Sequence, residues 1–153
     1  MFLFRLALAA ICLVGGVLSS SAALAGDVSP AGDWLTADQQ AVIAIAPCGT
    51  AFCGHIAGVT LDHATSPTPM DWRGQPQCGD LIITVSPAQD APDQWQGTVT
   101  DPRDGSIWQA ILTLQNGGLQ LRGYVGLPLF GQTEDWTPYT GQIRTGCHFK
   151  AVG

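Results

Sequence analysis

From residue 32 to residue 139, apolar side chains recur with the two-residue period of a strand, and Gly, Pro, Asn and Asp interrupt them at short intervals. The clearest stretch begins at Gln94. Gln94-Trp95-Gln96-Gly97-Thr98-Val99-Thr100 alternates large with polar positions, and Asp101-Pro102-Arg103-Asp104-Gly105 follows with the chemistry of a turn. Residues 106–114 predict the next strand, with Trp108, Ala110 and Leu112 on one face and Ile107, Gln109, Ile111 and Thr113 on the other. Asn116-Gly117-Gly118 then marks a hairpin, because Asn and Gly tolerate the positive φ such turns require. Beyond it Leu119, Leu121, Gly123 and Val125 alternate against Gln120, Arg122 and Tyr124.

Upstream, residues 32–36 and 41–46 form a hairpin around Asp38-Gln39-Gln40, and 54–61 and 81–85 continue the pattern. Residues 132–139 and 141–149 complete the series, and no convincing helix is found after residue 25. The chain therefore reads as all-β and antiparallel, with about nine short strands whose closure into an up-and-down barrel removes exposed edges. One segment breaks the pattern. DHATSPTPMDWRGQPQC, residues 62–78, holds three prolines and no periodicity, as expected of a lid or binding loop, or of an ordered loop pinned by Cys78.

Residues 1–25 have a single positive charge at Arg5, an apolar run over 6–18 and Ala23-Leu24-Ala25 before Gly26. This is the form of a secretory signal peptide, with cleavage expected after Ala25. The apolar run is too short to span a membrane and is broken by Gly15 and Gly16, so residues 26–153 are expected as one exported domain without a membrane span. The chain of 153 residues leaves no room for a second substantial core.

Charged residues are only 12% of the sequence, with 12 Asp+Glu against 6 Lys+Arg, and loss of Arg5 moves the net charge from −6 to −7. No basic stripe exists for nucleic acid to bind. Removing the leader also removes Cys12 and leaves Cys48, Cys53, Cys78 and Cys147, which in an oxidising compartment read as two disulfides. Three pairings are formally possible. The glycines after both cysteines in CGTAFCG let the backbone curl and favour Cys48–Cys53, leaving Cys78–Cys147 by elimination. Zinc held by Cys48 and Cys53 with His55 and His63 is the competing reading, but its spacing is wider than usual for a metal site.

AGDWLT, PCGTAFCGHI, DPRDGSIWQAILTL and LQLRGYVGLPLFGQTEDWTPY, in this order, resemble the DUF2147 family of small exported bacterial proteins. Asp101-Pro102-x-x-Gly105 and Gly123-x-x-Gly126-x-x-x-Phe130-Gly131 followed by Trp136 are the most specific pieces. The family has no assigned function, so the resemblance implies a fold and a compartment but no catalytic residues. Its members resemble lipocalin or fatty-acid-binding barrels, which implies a lipocalin-like closed barrel of about eight to nine strands. Gly32-Asp33-Trp34 is similar to the lipocalin G-x-W, where the Trp closes the barrel floor beside a late basic residue; Arg144 is the candidate here.

Chemistry is harder to find. There is no G-x-S-x-G, and the cysteines are better used as disulfides, which disfavours nucleophilic catalysis. Asp101/Asp104 and Glu134/Asp135 are carboxylate pairs, but the first flanks Pro102 in a turn that such side chains cap. His55, His63 and His148 are scattered, so neither metal nor cofactor is expected. A barrel of this size either packs solid or holds one small ligand, and Trp34, Trp108, Arg122, Tyr124 and Trp136 are the candidate ligand-binding residues. Arg122 is either a buried charge for a carboxylate or an outward arginine. The expectation is a periplasmic or secreted, non-catalytic binder of a small or apolar ligand. One alternative is a filled barrel that docks an envelope protein through Leu127-Pro128-Leu129-Phe130; the other is a hydrolase-like enzyme using loop acids or histidines.

Overall fold

The turns marked in the sequence are closed by their own side chains. At residues 36–40, Thr36 Oγ1 donates to Asp38 Oδ1 (2.7 Å) and the Gln40 N–H donates to the same oxygen (3.0 Å). Asn116 and Gly117 take φ values of 51° and 76°, the paired positive values of a two-residue hairpin turn. Between such turns the computed structural model, which describes residues 28–61, 63 and 65–150, forms eight strands. They are β1 (Gly32–Leu35), β2 (Ala41–Cys48), β3 (Ala51–Val59), β4 (Leu81–Pro87), β5 (Gln94–Thr100), β6 (Ile107–Gln115), β7 (Gly118–Tyr124) and β8 (Gln132–Pro138). The expected leader and its cleavage site after Ala25 lie outside the described residues, as does Asp62. Among the described residues no helix is long and apolar enough to cross a membrane.

Each strand pairs antiparallel with its sequence neighbour, and β8 returns to β1 with Trp34 opposite Pro138 and Leu35 opposite Thr137. The sheet is a closed up-and-down barrel without an open edge. Closure also explains why the expected ninth strand over 141–149 does not form: β1 and β8 already use each other. Gly146 and Cys147 take left-handed φ of 85° and 68°, and the segment makes only isolated bridges, Arg144 to His148 and His148 to Val59. It packs on the outer face instead, where Tyr139, Ile143 and Phe149 cover Leu35, Val42 and Ala57 in a second hydrophobic cluster.

The disulfides are Cys48–Cys53 and Cys78–Cys147, with Cα separations of 5.8 Å and 6.0 Å. Cys48–Cys53 staples the β2–β3 hairpin, where Cys48 faces Ala51 and Ala46 faces Cys53, and β3 consequently begins at Ala51 rather than at Gly54. Cys78–Cys147 ties the β3–β4 loop to the outer C-terminal segment.

Alternation along the strands fills the interior from one end. Ile43, Ile83, Val85, Leu112 and Leu119 have almost no exposed surface, and each such burial contributes roughly 1.5–3 kcal/mol. Trp95 is equally buried and meets Phe52 edge-on, with ring centroids 6.1 Å apart. A Cβ on Gly97 would overlap the Thr84 carbonyl, so this position must be glycine for β4 and β5 to approach as closely as they do.

Candidate functional site

The loops at 36–40, 60–80, 101–106 and 125–131 gather at one end of the barrel, because each joins an odd-numbered strand to the next even one. The short turns at 49–50 and 116–117 lie at the other end. At the long-loop end the packing stops short and leaves an open cavity of about 530 Å³. Ile43, Ile56, Val59, Ile82, Leu121 and Trp136 give it an apolar inner surface, with Val99 and Trp108 on the wall. Towards solvent the lining turns polar, with Thr36, Asp38, Gln40, Thr100, Gln132 and Glu134. The volume is within the range of about 300–1,000 Å³ usual for small-molecule sites.

The position of each side chain follows from strand parity. On β7, Leu121 and Gly123 point inward, so Arg122 between them points out. On β8, Gln132, Glu134 and Trp136 share the inward parity, and the Trp136 indole N–H donates to Glu134 Oε2 at 3.1 Å. Ile82 is the residue skipped where the β3–β4 pairing shifts register, which lets it and Ile83 both be buried.

The rim is built by acids. Asp101 accepts from Arg103 at Nε (2.9 Å), Nη2 (2.6 Å) and the backbone N–H (2.9 Å), and the Arg103 side chain holds its carboxyl below the usual range against the opposing effect of partial burial. Asp104 is likewise lowered by its hydrogen bonds with Ser106, whose N–H lies 2.8 Å away. These contacts make Asp101 and Asp104 caps of the β5–β6 turn, as the sequence suggests. The fixed guanidinium at the mouth is thus already matched by Asp101, with Asp38 and Asp104 also acting on its charge.

Of the segment singled out at 62–78, residues 65–78 form an ordered loop that supplies Pro69 and Gln77 to the cavity lining. Asp71 is its centre. Its Oδ1 accepts from the N–H groups of Arg73 (2.8 Å) and Gln75 (2.7 Å), and its Oδ2 from Arg73 Nε (2.6 Å). Burial alone would raise the Asp71 pKa, but these donors outweigh it and the net shift is downward. Arg73 also reaches Asp80 (2.7 Å) and stacks on Trp72, whose backbone N–H donates to the Pro102 carbonyl (3.1 Å) and whose indole covers Gly105. The loop is therefore docked on the β5–β6 turn as well as bridged through Cys78.

Of the residues singled out in the sequence, Trp108 and Trp136 line the cavity, whereas Trp34, Arg122 and Tyr124 lie outside its lining. Trp34 is 6% exposed within the packed core and its indole N–H donates to the Pro30 carbonyl (2.9 Å). The expected pairing with Arg144 is replaced by that bond, since Arg144 is an exposed residue of the outer segment. Arg122 is the outward arginine. It grips the apolar β7–β8 loop through the carbonyls of Pro128 (2.7 Å) and Leu129 (3.2 Å), and donates to Thr133 Oγ1 (2.6 Å).

His55 and His63 are exposed, and His148 lies 3.2 Å from Thr68 Oγ1. Among the described residues no group of three His, Cys, Asp or Glu is placed to hold a metal. Glu134, which the sequence offered as half of a carboxylate pair with Asp135, is separated from it by strand parity: Glu134 lines the cavity with Trp136, whereas Asp135 accepts from Gln120 Nε2 at 3.0 Å.

Searches among curated proteins and among solved structures return no match. The family described as "Uncharacterized protein conserved in bacteria (DUF2147)" matches over residues 32–138, the whole barrel from β1 to β8. The chain is a member of the DUF2147 family.

Proposed function

We propose that this protein is exported as residues 26–153 and binds a small apolar ligand, without chemistry of its own, in the mouth of the barrel. The observation that carries the reading is the partly empty interior: eight strands make a barrel that side chains can fill, yet the mouth keeps about 530 Å³ over an apolar surface. Export to the periplasm or beyond is supported by two disulfides and by the form of residues 1–25. A binding rather than hydrolytic role is supported by the rim acids, since Asp101 and Asp104 are engaged in a turn and Glu134 bonds an indole.

A second reading, docking of an envelope protein, is favoured by one feature. Leu127, Leu129 and Phe130 are 62–79% exposed on the β7–β8 loop. Native mass spectrometry of protein recovered from its own host separates the two. An added mass, lost on unfolding and absent from Gly123→Leu protein, is the expected result. A bare polypeptide mass together with a co-purifying protein that Leu129→Ser and Phe130→Ser release would favour the second reading.

A further inference from the structure

The charges around the cavity are unequal. Asp38, Asp101 and Glu134 line it, and among the described residues Arg103 is the sole basic one in the lining. Arg103 is held by Asp101 in a salt bridge of 2.6 Å, so its charge is matched before any ligand arrives. A carboxylate-bearing amphiphile would thus meet two uncompensated acids at the mouth and no free cation inside. Barrel ligands with anionic heads are disfavoured by Coulomb repulsion, which strengthens as the ligand displaces water.

Glu134 gives this imbalance a location. It faces inward between Gln132 and Trp136, and its Oε2 is already fixed by the Trp136 indole. Its other oxygen, Oε1, has no partner among the described residues. Beside it the wall is thin: Gly123 pairs with Gln132 on one side and Ala110 on the other, and the nearest atom to a Cβ built there is Val99 Cγ1 at 3.9 Å. Trp108, 40% exposed, lies on β6 two residues before Ala110 and lines the same cavity. A carboxylate acceptor and an indole face lining one cavity are the two groups that recognise an ammonium.

We propose that the cavity selects a cationic amphiphile, its apolar chain against Ile43, Ile56 and Leu121 and its amine at Glu134. The proposal rests on the ligand-binding reading above and adds the charge of the ligand. The excess of acids over the whole chain favours the same partner at long range.

The test uses three probes with one ten-carbon chain: decylammonium, decanol and decanoate, each below its micelle concentration. Binding to the full mature protein is followed by tryptophan fluorescence at low salt, with Gly123→Leu as the control that closes the cavity. The expected order is decylammonium, decanol, decanoate, with about tenfold between the first and second. In Glu134→Gln the affinities of the first two draw together, and the salt dependence of their ratio weakens to what the remaining acids sustain. Equal affinities, tighter binding of decanoate, or an unchanged ratio in Glu134→Gln overturns the charge selection while ligand binding stands. No saturable binding of any probe, or equal binding by Gly123→Leu, overturns ligand binding itself.

Discussion

The two ends of this barrel are made of the same eight strands, yet one end is solid and the other hollow. At the solid end, inward positions carry Phe52, Val85, Trp95, Leu112 and Leu119, which interlock. At the mouth, equivalent inward positions carry Gly123, Gln132 and Glu134, too small or too polar to meet across the interior. The difference is one of side-chain size along each strand and not of backbone. Stability is therefore concentrated at the solid end, leaving the mouth free to be shaped for a ligand.

The contrast predicts graded outcomes. Trp95→Ala removes the largest fully buried side chain and should cost about 3–5 kcal/mol in urea unfolding, with ligand affinity per folded molecule retained. Equal destabilisation by Trp108→Ala would abolish the distinction between the ends. Replacing Cys78 and Cys147 together by Ser opens a closure of 69 residues and should cost roughly 4 kcal/mol on a chain-entropy account, against roughly 2 for the Cys48–Cys53 pair, as read from denaturation midpoints.

Acid sharpens the comparison, because the mouth leans on a buried carboxylate whereas the solid end has none among its core residues. The folded pKa of Asp71 is depressed, so its contribution is present above the ordinary carboxylate value of about 4 and is lost as pH falls through the lower folded value. The Trp72 indole resonance should shift in that window while that of Trp95 stays fixed, and Asp71→Asn should remove the dependence. Smallest of all, Gly123→Leu should change stability by less than about 1 kcal/mol, since the added carbons enter open space, while preventing ligand entry. A large loss of stability in this variant would mean the mouth is already packed.

Much of the architecture was legible because a barrel wall imposes one rule, alternation, at every strand. Leu119, Leu121 and Gly123 against Gln120 and Arg122 is that rule in plain form, but alternation alone left Arg122 open between a buried charge and an outward arginine, and its contacts with Pro128, Leu129 and Thr133 put it outside. The ninth strand was over-read for a physical reason: alternation over 141–149 also serves a segment laid on the outer face, and pairing depends on whether an edge remains free. The site was only half legible. Parity puts Glu134 and Trp136 inside together, but whether an inward residue meets a partner depends on its height in the barrel, which closure sets. For the loop over 65–78 the sequence left a lid and an ordered loop equally open, since its order comes from Asp71 collecting donors from Arg73 and Gln75 and from Trp72 settling over Gly105.

Methyl chemical shifts during titration with decanol test the hollow mouth most directly. The account predicts saturable shifts for Ile43, Ile56, Val59 and Leu121, with Val85, Leu112 and Leu119 unmoved. Shifts confined to the exposed Leu127 and Leu129, or spread evenly over both ends, would contradict it.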